Sequence, residues 1–100
     1  MRKILVYWRD IPAQVIIKSG RKRAKAELPQ RFMESIDRAA MRAGKGGSEA
    51  YLEDWRREII EIGPCDDMQA YAQAEADRLD QNYTQDSLDS LIRAKGLVET

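Results

Sequence analysis

Two short apolar runs, Lys3-Ile-Leu-Val-Tyr-Trp8 and Gln14-Val-Ile-Ile-Lys18, stand five residues apart, and that gap fixes how the chain can begin. Parallel strands need a crossover of roughly a dozen residues or more. The segment Arg9-Asp-Ile-Pro-Ala13 is too short for one, so two strands here must pair antiparallel, as a hairpin with a five-residue loop. Pro12 has no amide to give a ladder, and with Asp10 it supplies turn chemistry. The first run is apolar on both faces, which suits a central strand. Two strands alone are marginal in water, so the hairpin calls for a further strand and for covering helices.

Ser19-Gly20 closes the second strand, and Arg21-Lys-Arg-Ala-Lys25 reads as a connector too cationic to be buried. The first helix follows Pro29, with apolar residues at Leu28, Phe32, Met33, Ile36, Ala39, Ala40 and Ala43 and with Gly44 as a left-handed stop. Lys45-Gly-Gly-Ser48 reads as a link. Residues 49–62 fit either helix or strand; the Ile59-Ile60-Glu-Ile62 cluster and the need for a third strand favour strand for much of the stretch. Gly63-Pro64 breaks the chain. Asp66 or Asp67 then caps a helix with the stripe Met68, Tyr71, Ala72, Ala76, Leu79 and Tyr83, and Thr84 caps a last one that ends before Gly96. The expected fold is α+β, roughly ββαβαα, with helices on one face of a small antiparallel sheet. Residues 1–96 make one domain in this reading, and 97–100 a tail.

Composition bounds the function. At 100 residues, 43% of them apolar, nearly every apolar side chain must serve one core. No apolar run reaches the ~18 residues of a membrane span, and the start is too short and too soon polar for a signal peptide. A lone Cys65 offers no internal disulfide. These features lead to the expectation of a cytoplasmic, folded domain with no membrane partner.

The absence of His removes the commonest general base near neutral pH, and no nucleophile sits in a recognisable elbow. Glu53-Asp54 and Asp66-Asp67 are adjacent carboxylates whose places on a strand or at a cap do not pair them for acid and base work. One thiol and no His cannot build a transition-metal site, and no Asp-rich loop follows the calcium pattern. Cys65 precedes a helix start, but Asp66 and Asp67 oppose a thiolate there. In Gly44-Lys-Gly-Gly-Ser48 the glycines follow a helix and the Lys precedes them, the reverse of a phosphate loop. The Gly44 to Gly47 spacing of a KH clamp lacks its flanking context. The chain is therefore expected to be no enzyme, with no cofactor and no metal.

Charge is where a function can lie. Lys+Arg and Asp+Glu number 17 each, yet residues 1–48 hold twelve cations against four acids, and residues 49–100 hold five against thirteen. Lys18, Arg21, Lys22, Arg23 and Lys25 crowd into eight residues, with Arg9 and Arg31 expected nearby. Three readings stay open: a solvated or internally paired segment, a site for an anionic small molecule or acidic protein surface, and a nucleic-acid contact. Few aromatics accompany these cations, which weakens single-strand recognition. Trp55, with Tyr51 and Arg56, has the residue types of a binding hot spot, though core is the default for a Trp in so small a domain. Self-association through a sheet edge or through Trp55 is a further option.

The segments Trp8-Arg-Asp-Ile-Pro-Ala-Gln-Val15, Gly20-Arg-Lys-Arg-Ala-Lys25, Leu28-Pro-Gln-Arg-Phe32, Ile36-Asp-Arg-Ala-Ala-Met41 and Tyr51-Leu-Glu-Asp-Trp-Arg56 carry a resemblance. Over residues 3–57 the chain resembles the bacterial virulence-factor family, whose domain also occurs within the conserved virulence factor C proteins of Gram-positive bacteria. The resemblance implies no reaction and no catalytic residue. Stand-alone members resemble genes that neighbour one-carbon enzymes, which would imply a polyglutamylated folate or an acidic enzyme surface as the anionic partner.

Overall fold

A computed structural model describes residues 1–45 and 49–98. Strands β1 (Arg2–Trp8), β2 (Ile11–Ser19) and β3 (Lys22–Glu27) precede helices α1 (Gln30–Arg42) and α2 (Glu49–Glu53). Strand β4 (Trp55–Glu61) and helices α3 (Met68–Asn82) and α4 (Gln85–Arg93) complete the chain. All neighbours in the sheet are antiparallel, in the order β3-β2-β1-β4. The α+β expectation therefore holds, with one strand more than the sequence reading assigned.

That added strand corrects the cationic connector. Arg21 alone remains in the turn with Gly20, whose φ of +59° at the first turn position matches a two-residue type II′ hairpin. Lys22–Glu27 is a strand because Ala24 and Ala26 face inward while Arg23, Lys25 and Glu27 face water. The first hairpin also turns more tightly than expected. Arg9-Asp10 is its whole loop, with Arg9 at φ +53°, and Pro12 lies within β2 opposite Tyr7. A bulge there makes the proline tolerable, and the freed carbonyl of Ala13 accepts from the Leu28 amide at 3.0 Å. Residues 49–62 divide into the short helix α2 and the strand β4, so both readings of that stretch are realised in sequence.

The helices end where their signals lie. Asp67 Oδ1 accepts from the Ala70 amide at 3.0 Å, Thr84 Oγ1 from Ser87 at 3.1 Å, and Gly44 stops α1 at φ +73°. The remaining glycines of the link, with Ser48, lie outside the described residues. Leu97 and Val98, assigned to the tail, are exposed, but the Val98 amide donates to Asp10 Oδ2 at 2.6 Å.

The two faces of the sheet differ. Leu5, Tyr7, Val15, Ile17, Ala24 and Ala26 join Phe32, Ile36, Ala72, Ala76 and Leu88 in the main core, with α3 laid over β2 and β3. On the opposite face Ile4, Val6 and Ile16 form a small cluster of their own, bordered by Trp55, without any helix residue. Among the described residues no helix joins this cluster, and the face is open in that sense, although its three apolar side chains are themselves buried.

Candidate functional site

The strand registers gather the cations in a way sequence distance hides. Lys18 pairs with Arg23 on β3 and with Arg2 on β1, and Arg2 pairs with Glu61 on β4. Arg23, Lys18, Arg2 and Glu61 thus form one row across all four strands on the open face. The turn adds Arg21, and Lys22 opens β3 at the same end. A shallow hollow of about 410 Å³ opens there, lined by Met1, Arg2, Lys18, Ser19, Gly20 and Glu61.

These cations are exposed, and they oppose one another. Like charges directly opposite on neighbouring strands are destabilising by a few tenths of a kcal/mol each. Lys18, Arg21, Lys22 and Arg23 have no carboxylate within 4.0 Å among the described residues. Arg2 meets Glu61 at 3.5 Å, with both side chains more than half exposed, a weak contact. Lys25 leans on Glu27 at 3.5 Å.

Several acids of the C-terminal half are engaged elsewhere. Glu75 on α3 takes Lys3 at 3.3 Å and Arg78 at 2.7 Å. Asp80 takes Arg31 at 2.6 Å, while the Arg31 guanidinium also donates to the carbonyl of Tyr83. Arg9 is bound to Asp54 at 3.2 Å and to the Lys95 carbonyl at 2.8 Å, with only 12% of its side chain exposed. Arg9 and Arg31 therefore do not join the basic cluster: Arg9 turns the hairpin at the far end of β2, and Arg31 ties α1 to the end of α3. At ~3.3 Å per residue, the length of β2 alone puts more than 20 Å between Arg9 and the β2–β3 turn. Arg2, by contrast, drew no attention as a sequence position. Its place in the row follows from register alone.

Trp55 and Tyr51 do come together, largely for structure, but Arg56 turns to the other face of the sheet. Tyr51 lies edge-on to Trp55 with centroids 6.0 Å apart and stacks on the buried Trp8 at 5.8 Å. Arg56 sits over the Tyr7 ring at 4.4 Å, donates to the Arg9 carbonyl and pairs with Asp10 and Glu58. Trp55 stays half-buried beside two shallow hollows that also reach Met33, Gln14 and Val6. Cys65 is a free, partly buried thiol against the Met1 sulfur at 3.5 Å.

Two carboxylates carry a pH dependence. The hydrogen bond from Lys45 holds Asp54 below the usual carboxylate range, with Arg9 adding to it against a smaller effect of burial. Burial would raise Glu75, but the bonds from Arg78 and Lys3 outweigh it and leave it lowered. A carboxyl whose pKa is lower folded than unfolded stabilises fully above the unfolded value, about 4, and loses that contribution as pH falls through the folded one. Urea midpoints measured downward from about pH 6 should therefore hold nearly level and then fall below about pH 4. Asp54→Asn should flatten part of that fall, and an unchanged slope would show that the Lys45 and Arg9 contacts do not form.

A model of the family described as Virulence factor matches residues 6–92. The chain belongs to that family. The match runs past residue 57 through β4, α3 and α4, so the acidic C-terminal half is part of the virulence-factor domain and not an appendage to it. No curated protein and no solved structure matches the chain. Among the described residues of this virulence-factor domain no group of three or more His, Cys, Asp or Glu could hold a metal ion, and no helix is long and apolar enough to cross a membrane.

Proposed function

We propose that this virulence-factor protein is a non-enzymatic binding module that docks an anionic partner on the basic end of its sheet. One observation carries the reading: Arg2, Lys18 and Arg23 are held side by side by strand register, flanked by Arg21 and Lys22, with only the exposed Glu61 contact at Arg2, while Glu75, Asp54 and Asp80 pair with Lys3, Arg9 and Arg31. Mutual repulsion across the strands is relieved when an anion enters, so bound charge is favoured by the fold itself. A partner rich in carboxylates, such as an acidic protein surface or a polyglutamate tail, fits five cations spread over a strand row and a turn. Duplex phosphates would engage the same side chains. The buried rings of Tyr7 and Trp8 leave no base-stacking platform beside them.

Fluorescence anisotropy with labelled oligoglutamate, repeated with labelled duplex DNA, tests the proposal. The protein should bind oligoglutamate at low salt, weaken as salt rises, and lose roughly tenfold or more on Arg21→Glu/Arg23→Glu. Preference for DNA with a log–log salt slope of about −4 to −5 would turn the reading toward nucleic acid. No binding of either probe at low salt would refute it.

A further inference from the structure

The two edges of the sheet are treated differently. On β3 the edge carries Lys22, Arg23 and Lys25, and Gln69 donates to the Lys25 carbonyl from α3. Cations and a covering helix are the usual protection of an edge. Strand β4 carries charges of both signs, Arg56, Arg57, Glu58 and Glu61, but no helix hydrogen-bonds to its edge among the described residues. It pairs only with β1, its residues from Arg56 to Glu61 are all exposed, and Ile59 and Ile60 keep 60% and 40% of their surface in water.

The backbone phase of that edge is set. The Asp54 carbonyl accepts from Arg9, and the Ile62 amide donates to Met1, both inward to the β1 side. Because both backbone groups of a strand residue point the same way and alternate, Trp55, Arg57, Ile59 and Glu61 turn theirs outward. The same residues place their side chains on the open face, since Arg57 lies beside Val6 and Ile59 beside Ile4.

We infer that β4 pairs antiparallel with β4 of a second copy, with Ile59 on the two-fold axis, to give one continuous eight-stranded sheet. A two-fold axis perpendicular to the sheet admits only registers in which one residue faces its own copy. With Arg57 on the axis two guanidinium groups meet, and with Glu58 on it two carboxylates meet. With Ile60 there, Ile59 faces a carboxylate and no opposite charges meet. With Ile59 on the axis, Ile60 faces Glu58, but Arg57 of each copy lies opposite Glu61 of the other, twice, and no like charges are opposed. The row Ile16, Ile4, Ile59 then runs on into the same row of the second copy, covering the most exposed apolar side chain of the strand. The charge order cation, apolar, anion along Arg57, Ile59 and Glu61 is thus complementary to itself in one register.

Sedimentation equilibrium on the full chain tests this, with circular dichroism as the check of folding. The protein should reach twice its 11.5 kDa mass at micromolar to millimolar concentration. Arg57→Glu alone and Glu61→Arg alone should each weaken the dimer about tenfold or more, because two attractive pairs become repulsive. Mixing the two single variants should restore it, since each then offers what the other needs, and so should the double exchange within one chain. A chain that stays monomeric throughout, or a dimer indifferent to these exchanges, would overturn the inference.

Discussion

Trp8→Ala is expected to lower the free energy of unfolding by about 4 kcal/mol and the melting temperature by on the order of 20 °C. The ring is fully buried at the end of β1. Its Nε1 donates to the Tyr51 carbonyl at 2.9 Å, its face stacks on Tyr51, and the Arg9 guanidinium lies 5.0 Å from its centroid. One side chain thus joins the first hairpin to α2 and to the turn after α4. Truncation leaves a cavity and also a carbonyl without its donor, and the second loss adds to the first. For a domain whose whole stability is about 5–15 kcal/mol, that is a large share. Urea and thermal unfolding measure it, with Trp8→Phe as the graded control. A loss below about 1 kcal/mol would mean that the Trp8 packing does not exist as described.

Gly96→Ala is expected to cost about 3 kcal/mol at the same junction. Gly96 holds φ at +87°, and a Cβ there would stand 2.7 Å from Trp8 Cζ3 and 3.2 Å from Cε3. A ring locked in the core cannot retreat. Nor can the backbone, because the Gly96 amide donates to the Leu91 carbonyl at 2.7 Å and its own carbonyl accepts from Asp10 at 2.8 Å. Part of the cost is the left-handed φ and part is the clash, and the two separate in a double-mutant cycle. In the Trp8→Ala background the same substitution should cost only about 1 to 2 kcal/mol. Gly20 and Gly44 have positive φ with open space around them, so alanine there should show only the smaller cost. Equal penalties at all three glycines would show that contact with Trp8 plays no part.

Several elements were legible because their signals are local. The hairpin followed from the short gap before Gln14, α1 from its apolar spacing and Gly44, and the last two helices from Asp67 and Thr84, which cap them. Strand β3 was legible in part and misread. Ala24, Ala26 and Leu28 alternate with Arg23, Lys25 and Glu27 at a period of two, but alanine is a poor strand former and the five cations pulled the reading toward a loop. Helix α3 shows why that strand is stable: it lays Ala72 and Ala76 over the sheet, and small side chains on both surfaces let the layers approach.

The candidate site divides along the same line. Sequence density marked Lys18, Arg21, Lys22 and Arg23, and these belong to the cations left without carboxylates among the described residues. It also marked Arg9 and Arg31, which face Asp54 and Asp80 from 45 and 49 residues away, a distance no local pattern spans. The same long-range pairing admits Arg2 to the row.

The chain by itself determined the caps and stops of α1, α3 and α4 and that its charge is divided between its halves, because caps and helical periodicity act over a few residues. Only the tertiary structure decided which opposite charges meet, since strand register and helix docking set those distances. Lys3, Arg9 and Arg31 meet their acids in this way, and Lys18 and Arg23 in the basic row at the end of the sheet meet none among the described residues.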